Sequence, residues 1–143
     1  MHQVAIIGAS GFTGAELLRI CASHPELTVV AATGNTEAGN RVADLYPSLA
    51  AAYGDMTFAG NDVSVIADAD LVFLGLPHGA SQSMVPDLRG RVKHVVDLAA
   101  DFRLDDPGLY PTCTAKRTLP PNCSTTSSSA CPSSFGAISP VPN

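Results

Sequence analysis

The chain of 143 residues has no tryptophan, few charges and no excess of basic ones. Eight Lys+Arg stand against thirteen Asp+Glu, a net charge of -5, so the electrostatic footprint of a nucleic-acid or anionic-membrane binder is missing. No uncharged apolar run approaches the roughly 20 residues that a membrane span needs. The start, Met1-His2-Gln3 and a short apolar run into Gly8, lacks the basic segment and cleavage site of a signal peptide. These absences lead us to expect a soluble cytoplasmic protein with neither nucleic-acid nor membrane partners, whose four cysteines need not pair. What is present suits a buried core: 45% of the residues are hydrophobic and 15% charged, which excludes wholesale disorder.

The composition changes along the chain. Residues 1–111 read as one regular domain. Residues 112–143 are rich in Ser, Thr and Pro, hold three of the four cysteines and contain no Asp or Glu. Such a stretch buries too little apolar surface to offset its ordering entropy, so a disordered tail is expected. Cys113, Cys123 and Cys131 do not have the C-x-x-C spacing of a zinc site and no histidine follows them, so no metal is expected.

Within 1–111, strand and helix signals alternate. Val4-Ala5-Ile6-Ile7 is apolar at every position, as a strand covered on both faces must be. Residues 15–21 place Leu17, Leu18 and Cys21 at helical spacing, with Thr13 as the cap and His24-Pro25 as the stop. Further strands are expected at 27–32, 56–58, 70–76 and 93–98, with a helix at 80–88 whose end Pro86 weakens. This order implies an α/β fold, a doubly wound parallel sheet of the Rossmann-like NAD(P)-binding kind with right-handed crossovers.

Gly8-Ala9-Ser10-Gly11-Phe12-Thr13-Gly14 lies between the first strand and the first helix. Glycines at G-x-x-G-x-x-G spacing let the backbone turn tightly and approach a pyrophosphate with no Cβ in the way. The helix behind them offers unpaired N–H groups and the positive end of its dipole. The preceding strand and following helix are the context this fingerprint requires. The competing reading is a tight turn with no ligand.

NAD readers place an acidic residue about 20 positions after the glycine motif, on the ribose 2′-hydroxyl. Here the second strand runs into Thr33-Gly34-Asn35-Thr36, and Glu37 lies past that position. A 2′-phosphate is accepted by small polar groups where a carboxylate would repel it, and Arg41 offers positive charge, so NADP is favoured over NAD. Leu76-Pro77-His78-Gly79 follows a buried strand at the end where open α/β sheets bind ligands. His78 there either lies near the nicotinamide or is a solvated loop histidine. Asp101 and Arg103, after the last strand, form an ion pair with each other or offer Arg103 to a substrate.

G-A-S-G-F-T-G-A-E-L-L-R, L-G-L-P-H-G and D-L-A-A-D-F-R-L, in that order over residues 3–111, resemble N-acetyl-γ-glutamyl-phosphate reductase. The resemblance implies a cytoplasmic, homo-oligomeric, NADPH-dependent oxidoreductase of arginine biosynthesis. Such an enzyme interconverts a small-molecule substrate, N-acetylglutamyl 5-phosphate, and N-acetylglutamate 5-semialdehyde. A cysteine thiolate attacks the acyl phosphate, phosphate leaves, and NADPH delivers hydride to the thioester, with a histidine as acid/base. The match further implies that Gly8, Gly11 and Gly14 hold the pyrophosphate. Ser10 and Thr13 add side-chain contacts. Phe12, within the turn, and Thr33, Pro77 and His78, read from their places after strand ends, are the further cofactor-site candidates.

The family's nucleophile lies in a P-G-C-Y-like motif downstream of D-F-R-L. No such motif occurs here, and Cys21 reads as core, so no catalytic residue is assigned. The catalytic and dimerisation domain is expected to be absent and these residues to be inactive alone. Two other functions use the same turn: a different semialdehyde dehydrogenase, which leaves L-P-H-G and A-D-F-R-L unexplained, and a non-catalytic NADP-binding module.

The tail has its own reading. Family members continue with W-Y-G and later G-L-P-E-L. With Thr112-Cys113-Thr114-Ala115 written ACC TGT ACG GC, one inserted G gives ACC TGG TAC GGC, or T-W-Y-G. Permissible codons carry that frame on through E-A-H-T-A-P-E-L-L-D-D-V-V-F-G-L-P-E-L. Residues 112–143 are therefore expected to be out-of-frame translation after a one-base deletion near Cys113.

Overall fold

The computed structural model describes residues 1–66, 68–99 and 101–102. Arg103, Cys113, Cys123, Cys131 and the whole Ser/Thr/Pro-rich stretch lie outside them.

Four strands, β1 (His2–Ile7), β2 (Leu27–Ala32), β3 (Leu71–Leu74) and β4 (His94–Asp97), form one parallel sheet in the order β2-β1-β3-β4. β1 is central because every residue from Val4 to Ile7 is buried. Its side chains alternate between two layers. Val4 and Ile6 pack with Leu18 and Cys21 of helix α1 (Phe12–Ser23) and with Val42, Leu49, Tyr53 and Phe58. Ala5 and Ile7 face the other layer, with Ile66, Val72, Leu74 and Leu88. Covering both faces is what the uninterrupted apolar run requires.

The connections make the sheet doubly wound. The chain leaves β1 through α1 to β2 on one side, then crosses back to β3 on the other. Short elements fill that crossover: helices α2 (Val42–Leu45) and α3 (Ala50–Tyr53), and 3₁₀ turns at Asn35–Glu37, Pro47–Leu49 and Val63–Ile66. Helix α4 (Ser81–Leu88) joins β3 to β4. The direction of winding reverses between β1 and β3, and the carboxyl ends of these two strands flank the crevice where such sheets take their ligands.

Several expectations need correction. Thr13 is not a cap. It is the second residue of α1, and Gly11 is the N-cap, in extended backbone. Residues 56–58 are not a strand. Val42 N–H donates to the Met56 carbonyl and Phe58 N–H to that of Asn40, so this segment pairs mainly with its own loop. Only an isolated bridge between Thr33 and Ala59 reaches the end of β2. The Phe58 ring is buried in the α1 layer, which anchors the segment by packing instead of by a ladder. β3 and β4 are four residues each, shorter than the apolar patterns at 70–76 and 93–98. α2 and α3 carry no apolar periodicity long enough to be read from sequence. The extents of β2 and α4 and the helix stop at His24 are as expected. Pro86 lies inside the last turn of α4, where it can supply no N–H to the ladder.

β2 holds one irregularity. Val4 pairs with Val29 and Ala5 with Ala31, so Val30 is left over as a bulge and is 41% exposed. The bulge shifts the alternation, so that Ala31 faces one core layer and Ala32 joins Val29 in the other.

Candidate functional site: a glycine turn at the switch point

β1 ends at Ile7 and the chain turns at once. Gly8 adopts φ +81°, a left-handed conformation that costs a residue with a Cβ roughly 1–2 kcal/mol. Space adds a second constraint. A Cβ at Gly8 would lie 2.5 Å from the carbonyl oxygen of Gly75, just past the end of β3. The turn is thus pressed into the gap between the two central strands. Gly75 N–H closes that gap by donating to the Ile7 carbonyl at 2.8 Å.

Gly14 solves a different problem. A Cβ there would lie 2.5 Å from the Gly8 carbonyl oxygen and collide with Ala9 Cα. Its absence lets the first turn of α1 sit directly on the loop. Gly11 N–H donates back to the Gly8 carbonyl at 3.2 Å. The N-terminus of α1 carries no side-chain cap and no acidic residue in its first turn. Among the described residues, no side-chain cap or first-turn carboxylate therefore neutralises its positive end. Gly11, Phe12 and Thr13 are exposed around it, Phe12 to 94%.

Thr33 lies under the turn rather than on it. It is fully buried, its Oγ1 accepts the Gly8 N–H at 3.2 Å and donates to Asn61 Oδ1 at 2.6 Å, and its carbonyl accepts the Ala9 N–H at 2.6 Å. The hydroxyl is engaged on both sides, so its contribution is to orient Gly8 and Ala9. No acidic residue stands at the end of β2. Glu37 comes later and accepts from the Asn40 amide, and Arg41 is exposed and paired with Asp44 at 2.7 Å.

Beyond β3, Pro77, His78 and Gly79 are exposed, and Gly79 has φ +89°. The buried carboxylate of Asp101 holds this loop, accepting the Gly79 N–H on Oδ1 at 2.8 Å and on Oδ2 at 2.7 Å. Two residues on, the Ser81 hydroxyl donates to Asp97 Oδ1 at 3.0 Å. The sequence suggested an Asp101–Arg103 ion pair. Arg103 lies outside the described residues, and among those described Asp101 accepts the Gly79 N–H. Cys21 is buried on α1, and burial pushes its thiol up, as suits core packing. Among the described residues, no group of three His, Cys, Asp or Glu could hold a metal ion.

Three residues of this site were not singled out from sequence. Gly34 and Gly75 each follow a strand end, and that position is a usable signal. Tyr46, whose hydroxyl donates to the Ser10 carbonyl at 2.6 Å, lies 36 positions away and has no local signature.

Comparison with known proteins agrees with this fold. The family described as semialdehyde dehydrogenase, NAD binding domain, matches residues 3–130, which runs past the boundary drawn from the motifs at 111. A protein named N-acetyl-gamma-glutamyl-phosphate reductase from Marinobacter nauticus is 51% identical over 106 residues, covering 74% of this chain and 30% of that protein. One of the same name from Salinispora arenicola is 48% identical over 105 residues, covering 73% and 31%. The chain thus spans about 30% of the length of the curated relatives it matches. A crystal structure of aspartate semialdehyde dehydrogenase with NADP from Candida albicans superposes with a TM-score of 0.57 at 19% identity, covering 75% of this chain and 32% of the other. That likeness shows the fold. By the extent of the family match, the chain belongs to the semialdehyde dehydrogenase NAD-binding domain family.

Proposed function

We propose that this chain supplies the dinucleotide-binding part of an NADPH-dependent reductase that converts N-acetylglutamyl 5-phosphate to N-acetylglutamate 5-semialdehyde in arginine biosynthesis. The observation that carries the binding half is the N-terminus of α1, with no side-chain cap and no acidic residue in its first turn, behind a turn whose glycines abut backbone. The names of the relatives at 51% and 48% identity support the choice of substrate. As in such enzymes, we place the chain in the cytoplasm and in a homo-oligomer.

In this reading the amides of residues 12–14 receive the pyrophosphate, with the Ser10 and Thr13 side chains beside them and the Gly11 N–H kept inside the turn by the Gly8 carbonyl. A phosphate at a helix N-terminus gains both direct N–H donors and the dipole. Phe12 covers the dinucleotide, which accounts for so exposed a ring. Thr33 contributes by holding Gly8. Pro77 and His78, at the carboxyl end of β3, stand at the nicotinamide side, and the Asp101 carboxylate fixes their loop. When bound, the reduced nicotinamide supplies the hydride for reduction of the acyl group. NADP is preferred to NAD because no carboxylate meets the 2′ position, and Arg41 can exchange Asp44 for a phosphate.

None of the four cysteines lies in a P-G-C-Y-like motif, so these residues bind dinucleotide without turning substrate over. Residues 112–143 we read as out-of-frame translation. Resequencing the gene across Cys113 tests that, and an intact frame there with no reductase sequence downstream refutes it.

Titration of the full chain with NADPH and NADH, followed by amide spectra, tests the binding half. NADPH is expected to move the signals of residues 8–14 at lower concentration than NADH. Signals that stay still with both would end the proposal. A parallel assay of phosphate-dependent semialdehyde oxidation is expected to show no turnover.

A further inference from the structure

Two tyrosines of one short segment send their hydroxyls to main-chain carbonyls of the first strand–helix unit. Tyr53, the last residue of α3, is buried and donates to the Leu18 carbonyl inside α1 at 2.9 Å. Tyr46, the residue after α2, is half-buried and donates to the Ser10 carbonyl at 2.6 Å. The first bond fastens a helix that its own ladder already defines. The second holds a peptide group that no regular structure defines.

The Ser10–Gly11 peptide is gripped on both edges. Its carbonyl accepts from Tyr46, and its N–H donates to the Gly8 carbonyl at 3.2 Å. The Ser10 side chain is confined as well, since a Cβ on Gly34 would lie 2.6 Å from both Ser10 Cβ and Oγ. Gly34 and Tyr46 belong to the segment after β2, so one stretch of chain wedges Ser10 from two directions. The consequence is electrostatic. If this peptide rotated, the Gly11 N–H would leave the Gly8 carbonyl and the Ser10 carbonyl oxygen would leave Tyr46 and swing towards the start of α1, where it would repel an anion.

We propose that Tyr46 is a positioning residue of the dinucleotide site. Its hydrogen bond fixes the Ser10–Gly11 peptide, keeps the Ser10 carbonyl turned away from the pyrophosphate, and joins the glycine turn to the segment beneath the adenosine 2′ position. This deepens the dinucleotide reading of residues 8–14 and rests on it. Tyr46 need not touch the ligand.

The test uses the full chain with Tyr46→Phe, and Tyr53→Phe as its matched control. Each variant deletes one phenol oxygen that donates to one carbonyl. Three quantities are read: the Gly11 amide signal without ligand, the NADPH dissociation constant and Tm. In Tyr46→Phe the Gly11 signal is expected to move and the NADPH dissociation constant to rise about fivefold, the worth of one net hydrogen bond. In Tyr53→Phe, Tm is expected to fall further than in Tyr46→Phe, with affinity within twofold of the parent. A Gly11 signal unchanged in Tyr46→Phe, or an equal loss of affinity in both variants, overturns the role of Tyr46. NADPH uptake by the parent with unaltered affinity in Tyr46→Phe overturns that role alone. No uptake by the parent overturns the dinucleotide reading and the role together.

Discussion

Two loops lie at the carboxyl ends of the central strands and are held by opposite means. The glycine turn after β1 is held by lack of volume: Gly8 and Gly14 sit where a Cβ would strike Gly75, Gly8 or Ala9. The loop after β3 is held by charge: Gly79 has open space around its missing Cβ, and the buried Asp101 carboxylate grips its N–H twice. A ligand that needs bare backbone requires the first solution. A loop that presents side chains such as Pro77 and His78 can use the second. One loop is therefore broken by adding atoms and the other by removing them.

The largest effect is expected from Gly14→Ala. The new methyl group meets backbone that cannot yield without moving α1, so stability should fall by about 3 kcal/mol and NADPH binding should be lost. Urea unfolding and NADPH titration would show it, and an unchanged midpoint would break the volume half of the comparison. Asp101→Ala is next, at about 2 kcal/mol, because it leaves the Gly79 N–H without its acceptor. Asp101→Asn, which keeps one acceptor oxygen, should recover part of the loss, and equal losses would argue against the grip. Gly79→Ala sharpens the contrast: with space free and only φ +89° to oppose it, the cost should be about 1 kcal/mol.

Smaller effects follow at the back of α1 and on the surface. Burial, and next the neighbouring Cys21, push the Tyr53 hydroxyl up to about 12. The folded chain thus holds this proton more tightly than the unfolded chain does. The resulting stability is complete below about pH 10 and is lost as pH rises towards 12. Tyr53→Phe should flatten unfolding free energy across that window, and a slope equal to the parent's would refute the assignment. Arg41→Ala should leave Tm almost unchanged, since its pair with Asp44 is exposed. Its expected effect is on choice of cofactor, a severalfold fall in the preference for NADPH over NADH, which paired titrations would measure.

Legibility followed the range of the interactions. The apolar run at Val4 to Ile7, the glycine turn and the second strand could be read because each is fixed by neighbours a few residues away. Residues 56–58 were misread for the opposite reason. Their alternation resembles a strand, but the partner that captures them is the 39–42 segment, brought there by the burial of Phe58 and not by any local pattern. From sequence Thr33 reads as a residue of the cofactor site, in a polar loop. Only its burial beneath Gly8 shows that it serves the backbone.

Sequence alone determined the two-faced apolar strands, the places that only glycine can occupy and the absence of a carboxylate after β2, because chain connectivity and missing side chains are properties of each position. Tertiary structure decided which distant groups complete the site. Tyr46 reaches Ser10, Asp101 reaches Gly79 and Gly75 closes on Gly8 only once the strands are ordered β2-β1-β3-β4, because hydrogen bonds and steric limits act over a few ångströms and strand order decides which residues come that close.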